Sequence, residues 1–437
     1  MTEETKQPLL HEPPPSAPGN LWHSRDFLTF WSGEAFSLFG SQVTNLALPL
    51  TAVLVYDATP QQMGLLSFLQ LSPYLFLSLV FGVWVDRSRR RPLMLAANAV
   101  RMVLIALVPL LSALHLLSIE ALLVIACLVG VCSVLFDVSW MSFVPALVKD
   151  RRLYVEANQK LSVTQSTSDV AGPGVAGVLV GWLGPPTALV LDAFSYLASL
   201  ISLLMIRTKE PAPAPPTTER HLGRELKEGV SWVFGHRLLR PLAALAPLTN
   251  FSLTSVSTLF LLYGVREKGL SPQLVGLIYS VSSVGALLGA LSSAAIIRRF
   301  PTGAVYGLAL TGIYVGPLLL VVAGGPRPLM IVTFILSLLI SYFGSGLSNV
   351  VQLSLRQTLT PQSLMGRMNA AFRTLLFGGG ALGGLCGGLL GGALGLRTGL
   401  VVLVLCSAAM VVPLALSPVV RVRSMPEPRA ETAETAG

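Results

Sequence analysis

Residues 82–92 read GVWVDRSRRRP. An apolar run stops at Val85, then Asp86, Arg87, Arg89, Arg90 and Arg91 crowd into six residues, and a second apolar run opens at Pro92. Two membrane spans joined by a tight basic turn account for this pattern. Short loops rich in Lys and Arg stay on the cytoplasmic side, so the turn also predicts an orientation.

The rest of the composition agrees. Of the 437 residues 53% are hydrophobic and 12% charged, against roughly a quarter charged in soluble domains. Apolar runs near 20 residues recur, each long enough to cross a hydrocarbon core of about 30 Å. The alternating segments of about 10 residues that mark barrel strands are absent. The net charge of +9 is spread over many short loops rather than one face, which argues against a nucleic-acid partner. Cys127, Cys132, Cys386 and Cys406 all lie within apolar runs, at neither disulfide-framework nor metal spacings, so no metal or cofactor is expected. The five histidines (His11, His23, His115, His221, His236) lie in tails and loops and are not clustered, and no Gly-Lys-Ser/Thr phosphate loop occurs. Neither an enzyme nor an ATP-driven pump is expected.

Residues 1–26 read as a polar, proline-rich cytoplasmic tail without the marks of a cleaved signal peptide. Six spans are expected at 27–56, 63–85, 92–114, 119–148, 161–182 and 186–206. Residues 207–237 form a charged, proline-rich linker followed by an amphipathic helix, with Leu222, Leu226, Val230 and Val233 at helical spacing, expected on the cytoplasmic membrane surface. Six more spans are expected at 238–262, 272–297, 303–323, 329–355, 370–394 and 399–418, then a short polar tail over 419–437. The tails, the loops after even-numbered spans and the adjoining helix ends hold about 25 of the 30 Lys and Arg, which places both termini inside. An offset of 211 residues aligns Gly172, Gly177, Gly181 and Gly184 with Gly383, Gly388, Gly392 and Gly395, and Asn158 with Asn369. The reading is an all-α polytopic membrane protein of 12 transmembrane helices in two parallel six-helix halves, 27–206 and 238–418.

Charges inside a membrane are costly unless paired or hydrated, so they are candidates for function. No Asp or Glu occurs between Glu267 and Glu427, and span seven has none, so a carboxylate that binds a coupling proton must belong to the N-terminal half. The candidates are Glu34, Asp137, Asp169 and Asp192. Helical rise puts Glu34, Arg101 and Asp169 roughly 10–13 Å above the cytoplasmic ends of their spans, with Asp137 at similar depth. A carboxylate that touches Arg101 is held charged, and one left alone is the better proton carrier. Glu34 is the first choice and Asp169 the next, while Arg101 and Asp137 equally suit a static packing pair. Asp192, nearer the outer face, suits a hydrogen bond to a neighbouring helix. Gln42, Asn45, Trp140, Asn250, Tyr279 and Asn349 are candidate cavity residues, each equally suited to bonding between helices.

The pattern Gly82-x-x-x-Asp86-Arg87-x-x-Arg90-Arg91 closely resembles the loop between the second and third helices of major facilitator superfamily transporters. Arg89 stands in place of that loop's usual glycine, as in the drug-efflux branch. By resemblance, this turn locks against the eleventh helix when the cytoplasmic side is closed. Gly82, Asp86, Arg87, Arg90 and Arg91 then form a cytoplasmic gate, with Arg367 and Arg373 in the matching region of the second half. Gly172-Pro173-Gly174 and Gly177 resemble the fifth-helix motif of the superfamily's antiporters. Residues 136–161 and 354–373 look like the drug:proton antiporter-3 family, which includes macrolide efflux pumps and siderophore exporters. An arginine frequent in the fourth helix of drug:proton antiporters is missing; Asp137 occupies that region.

The resemblance implies a proton-coupled exporter of small lipophilic compounds in a plasma (inner) membrane, acting as a monomer with membrane lipids around it. An importer of a small metabolite and a non-transporting lipid-binding or signalling protein on the same fold are the alternatives.

Overall fold

The computed structural model describes residues 21, 24–148, 153–208, 210 and 222–423. The tail segments 1–20 and 424–437 and most of the linker lie outside the described residues, so the expectations placed there are not pursued. The first six spans are α1 (Arg25–Leu54), α2 (Pro60–Asp86), α3 (Arg90–Ala113), α4 (Ile119–Leu147), α5 (Tyr154–Leu183) and α6 (Pro185–Met205). A shorter α7 (Leu222–Gly235) precedes α8 (Leu239–Leu262), which runs into a π-helical turn, Tyr263–Glu267. Then follow α9 (Pro272–Arg299), α10 (Thr302–Val315) with α11 (Leu318–Val322), α12 (Arg327–Leu359), α13 (Gln362–Leu394), and α14 (Leu396–Ala409) with α15 (Val411–Leu416). Among the described residues ten helical stretches are long and apolar enough to cross a membrane. With α2 and α5, 27 and 30 residues long, they make twelve spans.

Helix ends depart from expectation for a physical reason. Hydropathy marks where lipid ends, whereas backbone hydrogen bonding continues into water. Thus α5 starts at Tyr154 rather than near 161, and α13 at Gln362 rather than near 370. The ninth span is broken: Pro317 has no N–H, so the ladder stops at Val315 and restarts at Leu318. The carbonyl of Gly316 instead accepts from Ser337 Oγ at 2.9 Å. The helix expected on the membrane surface, α7, packs against α13 and α8, with Val233 fully buried and Glu228 bonded to Arg367. The side chains of Leu222 and Leu226 are outside the described residues.

In each half the helices pack around their own bundle: α1 on α6 and α5, α2 and α3 on α4, and correspondingly α8 on α13 and α14, α9 and α10 on α12. The halves meet chiefly through α2 on α13 and α5 on α9. We call the end of the bundle that carries the Gly82-to-Arg91 turn the basic end, and the opposite one the far end. At the far end a single cluster of buried apolar side chains, from Val43 to Val404, runs through both halves. At the basic end there are two clusters, one within each half. Buried apolar packing therefore joins the halves at the far end and divides between them toward the basic end.

The far-end junction is built twice from one pattern. Pro60-Gln61-x-x-Gly64 opens α2 and Pro272-Gln273-x-x-Gly276 opens α9. A Cβ on Gly388 of α13 would lie 2.4 Å from the Pro60 carbonyl oxygen and 2.5 Å from Gly64 Cα. A Cβ on Gly177 of α5 would lie 2.8 Å from both the Pro272 carbonyl oxygen and Gly276 Cα. Only glycine permits such backbone approach. Gly392 faces the Gln61 amide as Gly181 faces that of Gln273, and Gly184 and Gly395, both at φ 82°, lead into the next helix in each half. An ion pair from Arg266 Nη2 to Asp57 Oδ1 (2.5 Å) adds a further tie between the halves at this end.

Pro60 Cβ lies 3.3 Å from a Cβ built on Gly391, close to disulfide range. In a background with the four native cysteines replaced by serine, Pro60→Cys/Gly391→Cys is expected to cross-link on mild oxidation. Adding Gly388→Val, whose side chain meets backbone, is expected to cut the yield severalfold. An unchanged yield, measured by gel shift, would show that this crossing does not hold the junction.

Candidate functional site

Between the halves, on the basic side of the junction, lies a cavity of about 530 Å³. Its walls come from α1 (Gln42, Asn45, Leu46, Pro49), α2 (Ser67, Gln70, Leu71), α5 (Asp169, Pro173), α8 (Thr254, Ser257, Thr258), α9 (Tyr279, Ser283) and α12 (Tyr342, Ser345), among others. Both halves therefore contribute, and hydroxyls and amides alternate with apolar side chains. Among the lining residues Asp169 is the single charged group. Its Oδ1 accepts from Gln42 Nε2 and from Gln165 Nε2, each at 2.9 Å, which orients the carboxylate and leaves it exposed to the cavity. Ser257 and Tyr279 share a hydroxyl contact of 3.2 Å, and Ser67 and Thr258 one of 3.1 Å across the halves.

Of the six cavity residues expected from sequence, Gln42, Asn45 and Tyr279 line this space. The other three do not. Trp140 packs against the N-half cluster at the basic end, Asn250 donates to the Leu376 carbonyl at 2.7 Å, and Asn349 is exposed on α12 one turn beyond the lining residue Ser345. Depth along a span is readable from residue number, but the face toward the cavity depends on how the helix packs.

The four ionisable groups expected at one level do not form one cluster. Arg101 is buried with its guanidinium over the Phe136 ring (4.3 Å) and the Tyr196 ring (4.6 Å), and it donates to Asn98 Oδ1. It makes no ion pair among the described residues. The carboxyl of Glu34 is also buried, and its Oε2 finds no hydrogen-bond partner among the described residues. The charged groups that act on Glu34 from a distance are Arg101 and Asp137. Asp137 does not pair with Arg101: its Oδ2 accepts from Arg373 Nη2 of the other half at 2.8 Å and from Tyr74 OH at 2.9 Å. Tyr74 in turn stacks on Phe377 with centroids 4.2 Å apart, and Arg373 lies over both rings. Asp192 is completely buried and bonded to Thr44 of α1 and to Ser195, which fits the structural role read from sequence.

The gate residues divide. Arg90 and Arg91 are held inside the N-terminal half: Glu210 accepts from both backbone N–H groups, and Arg91 donates to the carbonyls of Leu203 (2.9 Å) and Leu204 (3.0 Å). Arg87 is exposed, and Gly82 has nothing within 4 Å of where its Cβ would be. The Asp86 side chain is outside the described residues. Arg367 bonds Glu228 of α7, and Arg373 bridges the halves through Asp137. The antiporter-like residues Gly172, Pro173 and Gly177 all lie on the α5 face that meets α1, the cavity and α9.

Sequence reasoning missed Tyr74, Gln165 and Glu210. Tyr74 and Gln165 were legible only as polar residues in long spans, and Glu210 as one charge in a linker.

Similarity to known proteins points the same way. A profile described as Major Facilitator Superfamily matches residues 30–384. The multidrug efflux pump Tap of Mycolicibacterium fortuitum is 25% identical over 355 residues, covering 79% of this chain and 84% of Tap. The enterobactin exporter EntS of Citrobacter koseri is 26% identical over 370 residues, covering 82% and 83%. Among solved structures, the nucleoside transporter NupG superposes with a TM-score of 0.72 at 11% identity, covering 90% of this chain and 99% of NupG. A bacterial homologue of the iron transporter ferroportin in its inward-facing state gives 0.69 at 17% identity, covering 91% and 100%. With that profile spanning most of its length and the same helical arrangement in the solved transporters, the chain belongs to the Major Facilitator Superfamily.

Proposed function

We propose that this protein is a secondary-active exporter that drives small lipophilic compounds out across a plasma membrane by alternating access, coupled to inward proton flow. The observation that carries the reading is the cavity between the halves, with Asp169 as its single charge and a wall otherwise of hydroxyls, amides and hydrocarbon. Such a wall suits lipophilic substrates, and one carboxylate suits a cationic or proton-bearing one. Closure at the far end with separation at the basic end is one of the two states that alternating access needs. The two relatives named above are both exporters, which favours efflux over import. The excess of Lys and Arg at the basic end supports a cytoplasmic position for that end and for both termini. A cavity lined by both halves of one chain supports a monomer as the working unit.

In this reading Asp169 meets substrate or proton in the cavity, and Glu34 carries the coupling proton deeper in the N-terminal half. A buried carboxyl with one unpartnered oxygen suits proton uptake and release better than a fixed packing role. Arg101 is the neighbouring cation whose field reaches Glu34. The bridge from Asp137 to Arg373 joins the halves beside the Tyr74–Phe377 stack, so it is assigned to the gate rather than to the proton path.

Vesicles containing the protein, loaded with a lipophilic cationic dye and given an imposed pH gradient, test this assignment. Glu34→Gln is expected to exchange dye passively yet ignore the gradient; a response equal to wild type would remove Glu34 from the coupling path. Asp169→Asn is expected to raise the dye concentration for half-maximal efflux by roughly tenfold, the scale of one lost charge-assisted contact. An unchanged value would remove Asp169 from the binding surface.

The gate assignment predicts energetic coupling. Asp137→Asn, Arg373→Gln and the double variant, melted in detergent, are expected to give a coupling energy of about 0.5–1 kcal/mol, appropriate to a partly exposed ion pair. A coupling of zero would show that the two halves do not communicate through this contact.

A further inference from the structure

The outer surface of the C-terminal half carries a groove of about 910 Å³ between α9, α10, α11 and α12. Leu308, Val315, Leu319, Ile340 and Phe343 make its walls, and Gly312 leaves room where a side chain would enter it. Thr311 supplies the one hydroxyl among the lining side chains, and it is already bonded to the Gly307 carbonyl at 2.8 Å. Nothing in the groove could orient a polar ligand, so its occupant is hydrocarbon. From Ala304 to Leu319 the lining follows α10 and α11 for roughly 20 Å, more than the roughly 15 Å depth of one leaflet.

The mouth has a different character. Ile296 and Phe300 line the groove and also a second pocket of about 430 Å³ that contains Arg298 and Arg299. These arginines close α9 at the basic end, where the helix dipole favours cations, yet that interaction leaves their N–H donors unused. Neither makes a hydrogen bond or ion pair among the described residues. From α9 to α15 no carboxylate can supply a counter-charge, since the sequence has no Asp or Glu between Glu267 and Glu427. The contrast with the N-terminal half is direct: there Arg90 and Arg91 are satisfied by Glu210 and the end of α6.

We propose that this groove is a binding site for an anionic phospholipid, with an acyl chain along α10 and α11 and the phosphate held by Arg298 and Arg299. The apolar groove selects the chain and the uncompensated arginine pair selects the charge. The basic end faces the cytoplasmic leaflet in the proposed orientation, where anionic lipids are concentrated.

Binding can be read independently of transport. The purified protein in detergent is incubated with equal concentrations of dioleoyl phosphatidylglycerol and dioleoyl phosphatidylcholine and examined by native mass spectrometry. Phosphatidylglycerol adducts are expected to exceed phosphatidylcholine adducts by roughly thirtyfold, the scale set by two arginines near an anionic surface. Arg298→Gln/Arg299→Gln is expected to bring the ratio near one, while Arg237→Gln/Arg240→Gln, elsewhere at the same end, leaves it unchanged. Gly312→Leu, whose Cβ meets Ile340 at ordinary contact (3.5 Å), is expected to lower retention of both lipids by filling the groove. Leu308→Gln tests the same wall at a side chain 73% exposed, where folding is not at stake. A preference that survives the Arg298/Arg299 change, or retention unaltered in both groove variants, would overturn the proposal. Equal binding of glycerophosphoglycerol, the headgroup without chains, would also overturn it and leave a simple anion site.

Discussion

Everything in this molecule depends on how closely helix backbones can approach one another at the far end. Between apolar helices in lipid there is no hydrophobic drive to associate, so packing and hydrogen bonding must hold them. The two halves meet there through glycine against glycine, at Gly64 with Gly388 and at Gly177 with Gly276. That contact lets two otherwise independent bundles close one side of the cavity while the other side stays apart. The cavity takes its place from it, and so does the state in which the protein is seen.

Charge is arranged around this frame with equal economy. The N-terminal half holds all the intramembrane carboxylates and places them in four different settings. Asp169 faces the cavity, Glu34 is buried with an unpartnered oxygen, and Asp192 is bonded into the packing of α1 on α6. Asp137 reaches across to the other half. What surrounds each carboxyl, rather than the carboxyl itself, sets these four apart.

Much of the fold was legible because lipid imposes one rule, that each span be long and apolar, and the spacing of Gly172 through Gly184 against Gly383 through Gly395 exposed the duplication. The complementary half of that repeat, Pro60-Gln61-x-x-Gly64 against Pro272-Gln273-x-x-Gly276, passed unnoticed because its offset is 212 rather than 211 and it contains a single glycine. Helix ends were misjudged where polar residues continue a helix into water, as at Tyr154 and Gln362. The candidate site was legible in depth but not in direction. Glu34, Arg101, Asp137 and Asp169 were placed near one level, yet nothing in residue number tells that Arg101 turns toward Phe136 and Tyr196 or that Asp137 turns toward Arg373.

The absence of carboxylates from 268 to 426 has a consequence for the independence of the two halves. Arg373 takes its counter-charge from Asp137 of the first half, Arg367 takes its from Glu228 of α7, and Arg356 makes do with the amide of Asn369 and the ring of Phe372. The second bundle is therefore an electrostatic debtor: similar in shape to the first, it cannot neutralise its own cations. Shape would let the two be exchanged or recombined as modules, whereas charge ties this C-terminal bundle to this N-terminal one and to the connector between them.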